Sequence, residues 1–368
     1  MEKRKAVKMQ NNTKYAIIGA GNGGQSMAGY LALMGYDVRL YDIDSKKINI
    51  IKEKGGVELK GIEVPNGFGK ISIVTTNIKE AIYGAKIIMV VTDSRAHKNV
   101  ADTISEHLSD GQIIILNPGN FGSLEFDRIL KEKGITKDVI IAETECLIYA
   151  CRAPNPGIAE IYNVKHELSL STFPSGNNKE VIALLNKAFP QFRAGQNVLQ
   201  MGLSNVNSSF HPAFTMFNAA RIEYTKGNFI FYKEGATQSI TKIVQHVDRE
   251  KIRIGKMFGV KVPTSLDLIR KYYNTKGESL YKAIKTVRGY MKGKAPSSLN
   301  TRYILEDIPM SLVPISQLGR LAKVDSFTID TLIHMGILLV GGGLIKNKRD
   351  LKSLNLEGKS INEINQLL

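Results

Sequence analysis

The first half of the chain alternates between short apolar runs and longer segments with helical spacing of apolar residues. The apolar runs include "KYAIIG", "AKIIMVV", "QIIILN" and "DVIIAE", and helix-like segments such as "SRAHKNVADTISEHL" and "SLEFDRILKEKG" fall between several of them. Apolar strands that alternate with helices are typical of a parallel sheet covered by helices on both faces. The segment "GIEVPNGFGKISIVT" instead predicts a hairpin beside the sheet, and "KHELSLSTFP" predicts a late strand.

The pattern changes near residues 189–198. Beyond this point alternating strands are scarce, and long helical patterns such as "SSFHPAFTMFNAARIEY" and "TQSITKIVQHVDREKIRIGKMFG" dominate. We therefore predict a basic tail over residues 1–13, a doubly wound α/β domain with a mainly parallel sheet over 14–192, and an all-α domain over 193–368. The apolar helix "TLIHMGILLVGGG" fits either the core of the second domain or the contact face of a homodimer.

A glycine-rich turn lies between the first predicted strand and the first predicted helix. Gly19, Gly21 and Gly24 fit the pattern G-x-G-x-x-G. In that pattern the first glycine permits a tight turn, the second lets the backbone approach a pyrophosphate, and the third lets the helix pack close to the strand. The phosphates then lie at the helix N-terminus, where free N–H groups favour negative charge. The alternative is a glycine-rich turn without a ligand.

The coenzyme suggested by this turn is NAD, with NADP as the alternative. Asp42 ends the next strand, where an acid is expected to bind the ribose 2′-hydroxyl, and a carboxylate repels a 2′-phosphate. The turn "NPGN" follows a later strand, so its amides either face the nicotinamide or serve loop geometry alone. The predicted cofactor-binding residues are Gly19, Gly21, Asn22, Gly23, Gly24, Asp42 and Asn120.

Charge and composition limit the class of protein further. The net charge is +16, but the basic residues are scattered without a long basic block and tryptophan is absent, so we do not expect nucleic-acid binding. Solvated helix faces and an anionic small-molecule substrate account for the charge instead. No apolar run reaches the roughly 18 residues of a membrane helix, and the N-terminus lacks the apolar region of a secretory signal. Two cysteines, Cys146 and Cys151, fit a reducing cytoplasm, and their spacing predicts no metal site.

Three side chains in the second domain are candidates for chemistry. His211 lies in "GLSNVNSSFHPAF", whose asparagines and serines are poor core material, and a histidine exchanges protons near neutral pH as carbonyl or imine reduction requires. Arg302 and Asp307 lie in "NTRYILEDIPMSLVPISQLG". An arginine clamps a carboxylate through two hydrogen bonds, and an aspartate holds the tautomer of a histidine. The alternatives are a surface or capping histidine and surface ion pairs; His97 is expected to serve packing.

Taken together, these segments resemble the opine dehydrogenases, the octopine/nopaline dehydrogenase family, from about residue 14 to residue 345. The resemblance is carried by "IIGAGNGGQSMAGYLALMGYDVRLYD", "LNPGNFGS", "ETECLIYACR", "NVNSSFHPAFTMFNAARIE" and "LEDIPMSLVPISQLG". The first of these is shared with many dehydrogenases, whereas the His-Pro and Glu-Asp-Ile-Pro segments are much more specific. The resemblance implies a Rossmann domain, a helical domain and catalysis in the cleft between them.

The resemblance also implies an activity and its residues. Members of the family condense the amino group of an amino acid with an α-keto acid, often pyruvate, and reduce the resulting imine with NAD(P)H. It implies that His211 transfers the proton, that Asp307 orients it, and that Arg302 holds the keto-acid carboxylate. Thr144 matches a position that can touch the keto acid. Asn117 begins the family's NPG-type loop and is assigned to the substrate, although a glutamine seen in some relatives is absent there.

Two other functions stay open at the level of the sequence. A ketopantoate reductase or glycerol-3-phosphate dehydrogenase shares the two-domain plan but typically places a lysine at the proton-transfer position, where this chain offers His211. A non-catalytic NAD-binding protein could lose the histidine, arginine and aspartate without penalty, and this chain has all three. The sequence leaves the amino-acid partner, the oligomeric state and the direction of the reaction undetermined.

Overall fold

The strands of the first domain form two sheets. The computed structural model of the protein describes residues 11–368. The strands are, in chain order, β1 (Asn11–Ile18), β2 (Tyr36–Tyr41), β3 (Gly56–Gly61), β4 (Gly67–Lys70), β5 (Ile73–Thr75), β6 (Ile87–Val90), β7 (Ile113–Leu116), β8 (Ile140–Thr144), β9 (Tyr149–Asn155), β10 (Ile158–Val164), β11 (Leu168–Phe173) and β12 (Phe192–Ala194). β1 therefore begins inside the segment predicted as a tail, and residues 1–10 of that tail lie outside the described residues.

Helices cover the sheets and build the second domain. They are α1 (Asn22–Leu33), α2 (Ser45–Lys54), α3 (Ile78–Ile82), α4 (His97–Ile104), α5 (Gly122–Glu132), α6 (Asn178–Leu185), α7 (Val198–Ser204), α8 (Val206–Met216), α9 (Ala219–Thr225), α10 (Phe231–Gly235), α11 (Gln238–Met257), α12 (Ser265–Tyr273), α13 (Leu280–Thr286), α14 (Arg302–Leu305), α15 (Val313–Leu321), α16 (Phe327–Val340) and α17 (Ile361–Leu367). A π-helical turn, Ile308–Leu312, joins α14 to α15. The predicted all-α character of the second domain is confirmed.

The strand order of the large sheet determines where a ligand can bind. It is β12-β11-β8-β7-β6-β1-β2-β5, and the six strands from β8 to β5 are parallel while β11 is antiparallel to β8. The chain passes from β1 to β2 on one side and later returns to β6 on the other side of β1. Such a reversal opens a crevice at the carboxyl ends of the strands. The predicted doubly wound, mainly parallel sheet is therefore confirmed.

Both faces of this sheet are buried, which explains the nearly continuous apolar strands. Ile17 and Met89 belong to the large core that continues into the helical domain. Their neighbours Ile18 and Ile88 point to the opposite face and pack with residues of α3, α4 and α5. Because successive side chains of a strand alternate between faces, a strand covered on both sides must be apolar at every position.

The predicted hairpin forms, but it belongs to a separate sheet. β3 and β4 are antiparallel, and the small sheet has the order β4-β3-β10-β9. This sheet packs on α1, whereas β5, at the end of the predicted hairpin segment, pairs with β2 in the large sheet. The hairpin thus lies outside the large sheet, as predicted, but its membership of a second sheet was not predicted, because a strand pattern does not reveal which sheet a strand joins.

The boundary between the domains is crossed twice. The predicted boundary at residue 192 falls inside β12, an edge strand of the large sheet, and the helical domain begins with α7. After α16 the chain returns to the first domain, where the buried Arg349 donates to the carbonyl oxygens of Gly119 and Asn120 and pairs with Glu125. The last twenty residues therefore help to fix the two domains against each other.

Helix α16 is buried along one side, as predicted for a core helix, and exposed along the other. Leu332 and Ile333 are buried in the core, whereas Leu338 is 84% exposed.

Within residues 11–368 no helix is long and apolar enough to cross a membrane.

Candidate active site

The glycine loop after β1 has the geometry of a phosphate-binding turn. Gly19 has φ +105°, a conformation that favours glycine, and a Cβ on Gly24 would lie 1.7 Å from the carbonyl oxygen of Gly19. A Cβ on Gly21 would meet nothing within 4 Å, so the backbone there is open to a ligand. Gly21 also begins α1 without a side-chain cap. The first N–H groups of the helix are thus left for an anion.

Replacing Gly24 with alanine should separate α1 from β1 and weaken coenzyme binding. The clash is with a backbone oxygen, so the helix itself must shift, and we expect a loss of about 1–3 kcal/mol in the free energy of unfolding. The matched control is Gly29→Ala in the same helix, where the nearest contact of a Cβ is 3.3 Å and a small effect is expected. NADH titration and thermal unfolding measure both quantities. Wild-type NADH affinity in the Gly24 variant would contradict the assignment.

A cavity of about 350 Å³ lies beside the glycine loop and Asp42. The carboxylate of Asp42 accepts hydrogen bonds from the backbone N–H of Ala20 (2.6 Å) and from Lys47 (Nζ–Oδ2, 3.1 Å). Gly21 borders this cavity and also the cleft between the domains. The residues present therefore fit an extended dinucleotide, with its adenosine end beside Asp42 and its phosphates at α1.

A second cavity of about 320 Å³ separates the two domains. The first domain contributes the glycine loop, with Asn22 and Gly23, and the ends of β6 and β7. The helical domain contributes His211, Arg302 and Tyr303. The coenzyme groove and the predicted catalytic residues thus meet in one cleft at the carboxyl edge of the large sheet.

His211 and Asp307 form a hydrogen-bonded pair in this cleft. Nδ1 of His211 lies 2.7 Å from Oδ2 of Asp307, although the two residues are 96 positions apart. The histidine is 4% exposed, and its ring is stacked on Tyr303 with a centroid distance of 4.0 Å. Nε2 makes no hydrogen bond within the described part of the chain. The ring is therefore held on one side, and its second nitrogen is available to a reactant.

The surroundings of His211 favour its neutral form. Burial lowers the pKa of His211, and Arg302 and Arg152 act in the same direction, whereas the carboxylate of Asp307 opposes them. A neutral ring that donates Nδ1–H to Asp307 has an unprotonated Nε2. Such a nitrogen can accept a proton, and the nearby carboxylate stabilises the imidazolium that results.

A buried glutamate, Glu306, orients the side chain of Arg302. Its Nη1 donates to Oε2 of Glu306 (3.2 Å), and Oε1 of Glu306 accepts from the backbone N–H (2.9 Å) and the hydroxyl (2.8 Å) of Ser94 in the other domain. Burial raises the pKa of Glu306 to about 7, although Arg302 acts to lower it. The Arg302 side chain is still 51% exposed, so donors remain for a carboxylate in the cleft. Glu306, which lies beside Asp307 in the same motif, was not among the residues predicted from the sequence.

Three further predicted site residues have different surroundings. Asn117 borders the cleft, and its Oδ1 is buried without a hydrogen-bond partner in the described residues. Thr144 is fully buried below the cleft, where its hydroxyl hydrogen-bonds to the carbonyl oxygens of Leu116 (3.3 Å) and Cys146 (2.9 Å). Asn120 also does not border the coenzyme groove.

The side chain of Asn120 lies in the interface between the domains. Its Nδ2 donates to the hydroxyl of Ser94 (2.8 Å), and its Oδ1 accepts from Asn205 of the helical domain. The predicted residues that border the two cavities are Gly19, Gly21, Asn22, Gly23, Asp42, Asn117, His211 and Arg302. Asp307 lies behind His211 as its hydrogen-bond partner, and Gly24, Thr144 and Asn120 border neither cavity.

Two buried lysines were also missed by the sequence analysis. Lys251 donates to the carbonyl oxygen of Asn205 (2.8 Å), and burial lowers its pKa to about 8, but it lies beneath α8 and does not border the cleft. Lys165 follows β10, borders the cleft, and donates to the carbonyl oxygen of Leu147 (2.5 Å). Nothing in the short motif "KHELSL" distinguishes Lys165 from a surface lysine.

Cys146 and Cys151 are buried free thiols. No group of three or more His, Cys, Asp or Glu side chains among residues 11–368 is arranged to hold a metal ion.

The fold and the site together define a two-domain dehydrogenase that depends on NAD or NADP. Residues 194–339 match the family described as "NAD/NADP octopine/nopaline dehydrogenase, alpha-helical domain", and residues 14–138 match "NAD-dependent glycerol-3-phosphate dehydrogenase N-terminus". An opine dehydrogenase of Arthrobacter sp. (strain 1C) is 34% identical over 351 residues, which cover 95% of this chain and 97% of the relative. The chain therefore belongs to the opine dehydrogenase family, and it is an NAD(P)-dependent dehydrogenase acting on opines.

Solved structures have the same overall fold. An octopine dehydrogenase in complex with NADH and agmatine superimposes with a TM-score of 0.76 at 19% identity, covering 96% of this chain and 98% of that chain. A yersinopine dehydrogenase with bound NADP⁺ gives a TM-score of 0.67 at 16% identity, covering 98% of both chains. At these identities the likeness shows the fold and not the substrate.

Proposed function

We propose that this protein condenses an α-keto acid, in the first instance pyruvate, with the amino group of an amino acid and reduces the imine with NADH. His211 is the general acid and base of this reaction. The observation that carries the proposal is the His211–Asp307 pair, which leaves a free ring nitrogen in a cleft shared with Arg302 and the glycine loop.

The proposed chemistry begins with proton transfer. Arg302 binds the carboxylate of the keto acid and so orients its carbonyl group. The neutral His211 accepts a proton at Nε2 from the ammonium group of the amino acid, and the free amine then attacks the carbonyl carbon. Asp307 stabilises the imidazolium. A proton moves from the nitrogen to the oxygen of the adduct, and His211 returns its own proton to the resulting hydroxyl group, which leaves as water and gives the protonated imine. The coenzyme, when bound along the glycine loop, would supply the hydride that reduces the imine carbon.

The lysine-dependent reductases considered above receive less support. The match to the glycerol-3-phosphate dehydrogenase family ends at residue 138, before the helical domain begins, and so covers part of the coenzyme domain alone. Lys251, the buried lysine nearest in sequence to His211 in the helical domain, does not border the cleft. Lys165 and Lys294 do border the cleft, but within residues 11–368 neither is paired with a carboxylate as His211 is with Asp307, which supports His211 as the proton-transferring group.

The test of the proposed function is an assay matrix of α-keto acids against the common amino acids with NADH and NADPH. We expect coenzyme oxidation that requires a keto acid and an amino acid together. Full turnover with pyruvate alone, or with any hydroxy acid alone in the reverse direction, would show that no condensation takes place.

We expect NADH to be preferred, but Lys47 should moderate the preference. The carboxylate of Asp42 repels a 2′-phosphate, while the ammonium group of Lys47, 3.1 Å away, attracts it. Lys47→Met should therefore raise the KM for NADPH by about tenfold, an effect of the size of one partly exposed charge pair, and leave the KM for NADH almost unchanged. The control is Lys46→Met, one residue earlier and outside the cavity lining. Equal changes for both coenzymes would refute this role.

A further inference from the structure

Lys165 is a buried cation that faces the cleft without a counter-ion. Its residue is 6% exposed and borders the cavity between the domains. Within the described residues no carboxylate lies within 4.0 Å of its ammonium group, and its hydrogen bond is to the carbonyl oxygen of Leu147. A buried charge is costly unless it is paired. An anion bound in the cleft would supply the missing partner.

The neighbours of Lys165 hold its ammonium group in place. Nζ lies 5.1 Å from the ring centroid of Tyr272 and 5.8 Å from that of Tyr273. The ammonium group is thus a fixed positive charge at the wall of the cleft.

An aromatic wall connects Lys165 to His211. From Tyr273 the ring centroids follow one another at 5.5 Å to Tyr290, 4.4 Å to Tyr232, 4.9 Å to Phe231, 5.4 Å to Tyr303 and 4.0 Å to His211. All of these rings border the cleft. The wall between His211 and Lys165 thus forms one continuous side of the cleft, which a bound substrate would contact.

The charges of the cleft favour an anion at that end. Arg152, Lys165, Lys294 and Arg302 border the cleft, and in the described chain the carboxylate that borders it is that of Asp93, which pairs with Arg95. The guanidinium carbon of Arg302 lies 5.9 Å from the ring centroid of Tyr303, whereas Nζ of Lys165 lies 5.8 Å from that of Tyr273, at the far end of the aromatic wall. The two cations thus lie in different parts of the cleft and can serve two carboxylates.

We propose that Lys165 binds a carboxylate of the amino substrate, while Arg302 binds that of the keto acid. This inference rests on the proposed function, because an opine carries the carboxylates of both of its precursors. The carboxylate at Lys165 is either the α-carboxylate or one on the side chain. Both form the same charge-assisted hydrogen bond with the ammonium group.

The test is a comparison of Lys165→Met with the wild type on matched pairs of amines. One pair is a good amino acid substrate and its decarboxylated amine; the other is glutamate and glutamine. In one of the two pairs, the acid carries the carboxylate that contacts Lys165. On that acid we expect the variant to lose about 10²-fold in kcat/KM, and on the partner without this carboxylate kcat/KM should change little. Lys165→Arg should recover part of the loss. The KM for the keto acid and the affinity for NADH should stay at the wild-type level.

The unfolding temperature of the Lys165 variant distinguishes a role in substrate binding from a role in holding the fold together. Because Lys165 is an uncompensated charge, the methionine variant should unfold at a temperature no lower than the wild type. The control is Lys271→Met, which removes a lysine paired with Glu145 and Glu167 outside the cleft lining. It should lower the unfolding temperature and keep the acid-to-amine ratio.

Equal losses on both members of each pair, or a destabilised Lys165→Met, would overturn the inference while leaving the condensation reaction intact. The absence of turnover by the wild type with every pair of substrates, despite NADH binding, would instead refute the proposed function itself.

Discussion

Replacing His211 with asparagine should lower kcat by about 10²–10⁴-fold, the usual contribution of a positioned acid or base. The variant keeps a polar side chain but loses the nitrogen that faces the cleft, while the glycine loop is untouched. NADH affinity and the unfolding temperature should therefore remain close to those of the wild type. Steady-state kinetics with saturating keto acid and amino acid, together with NADH titration, measure the two effects separately.

The control for this variant is His334→Asn, which changes an exposed histidine of α16. It should leave both kcat and NADH affinity unchanged. If His211→Asn retained more than about a tenth of wild-type kcat, the group that exchanges the proton would have to be sought elsewhere. A lysine-dependent enzyme would give that result.

The sequence predicted the parts of the molecule that follow from local patterns. The nearly continuous apolar strands come from a sheet buried on both faces, and the spacing of Gly19, Gly21 and Gly24 comes from close backbone approaches within six residues. His211 and Asp307 were joined through the resemblance to a family, since nothing in their spacing indicates a contact. The 2.7 Å distance between their side chains agrees with that pairing.

Contacts between distant segments could not be predicted from the sequence. Asn120 was expected at the coenzyme because its turn follows a strand, but its positive φ of +52° belongs to a loop whose side chain is directed toward Ser94 and Asn205. The contact of Ser94 with Glu306 joins residues 212 positions apart. Such contacts depend on how the two domains pack against each other. A hydrophobic pattern indicates which residues are buried, but not which residues they contact.

Replacing Arg302 with methionine should raise the KM for the keto acid by about 10²–10³-fold. The variant loses the binding free energy of a cation that forms hydrogen bonds with a carboxylate in a partly enclosed cleft. Arg302→Lys keeps the charge but not the planar fork, so it should recover part of the affinity. Pyruvamide, which lacks the carboxylate, should be used equally poorly by the wild type and by the methionine variant. If the methionine variant still preferred pyruvate to pyruvamide, Arg302 would not be the residue that binds the keto-acid carboxylate.

The pH dependence of stability separates this effect on binding from the structural role of Arg302. Glu306 has its pKa raised to about 7 in the folded protein, so its contribution to stability is full below its ordinary value of 4.5 and is lost as the pH rises through about 7. Because Arg302 acts to lower that pKa, removing Arg302 raises the pKa of Glu306 further. The ionised form of Glu306 then destabilises the folded protein more than it does in the wild type. At pH 6 Glu306 is mainly protonated with or without Arg302, and the variant should unfold near the wild-type temperature. At pH 8 it should unfold lower, whereas the defect in keto-acid binding should persist at both pH values.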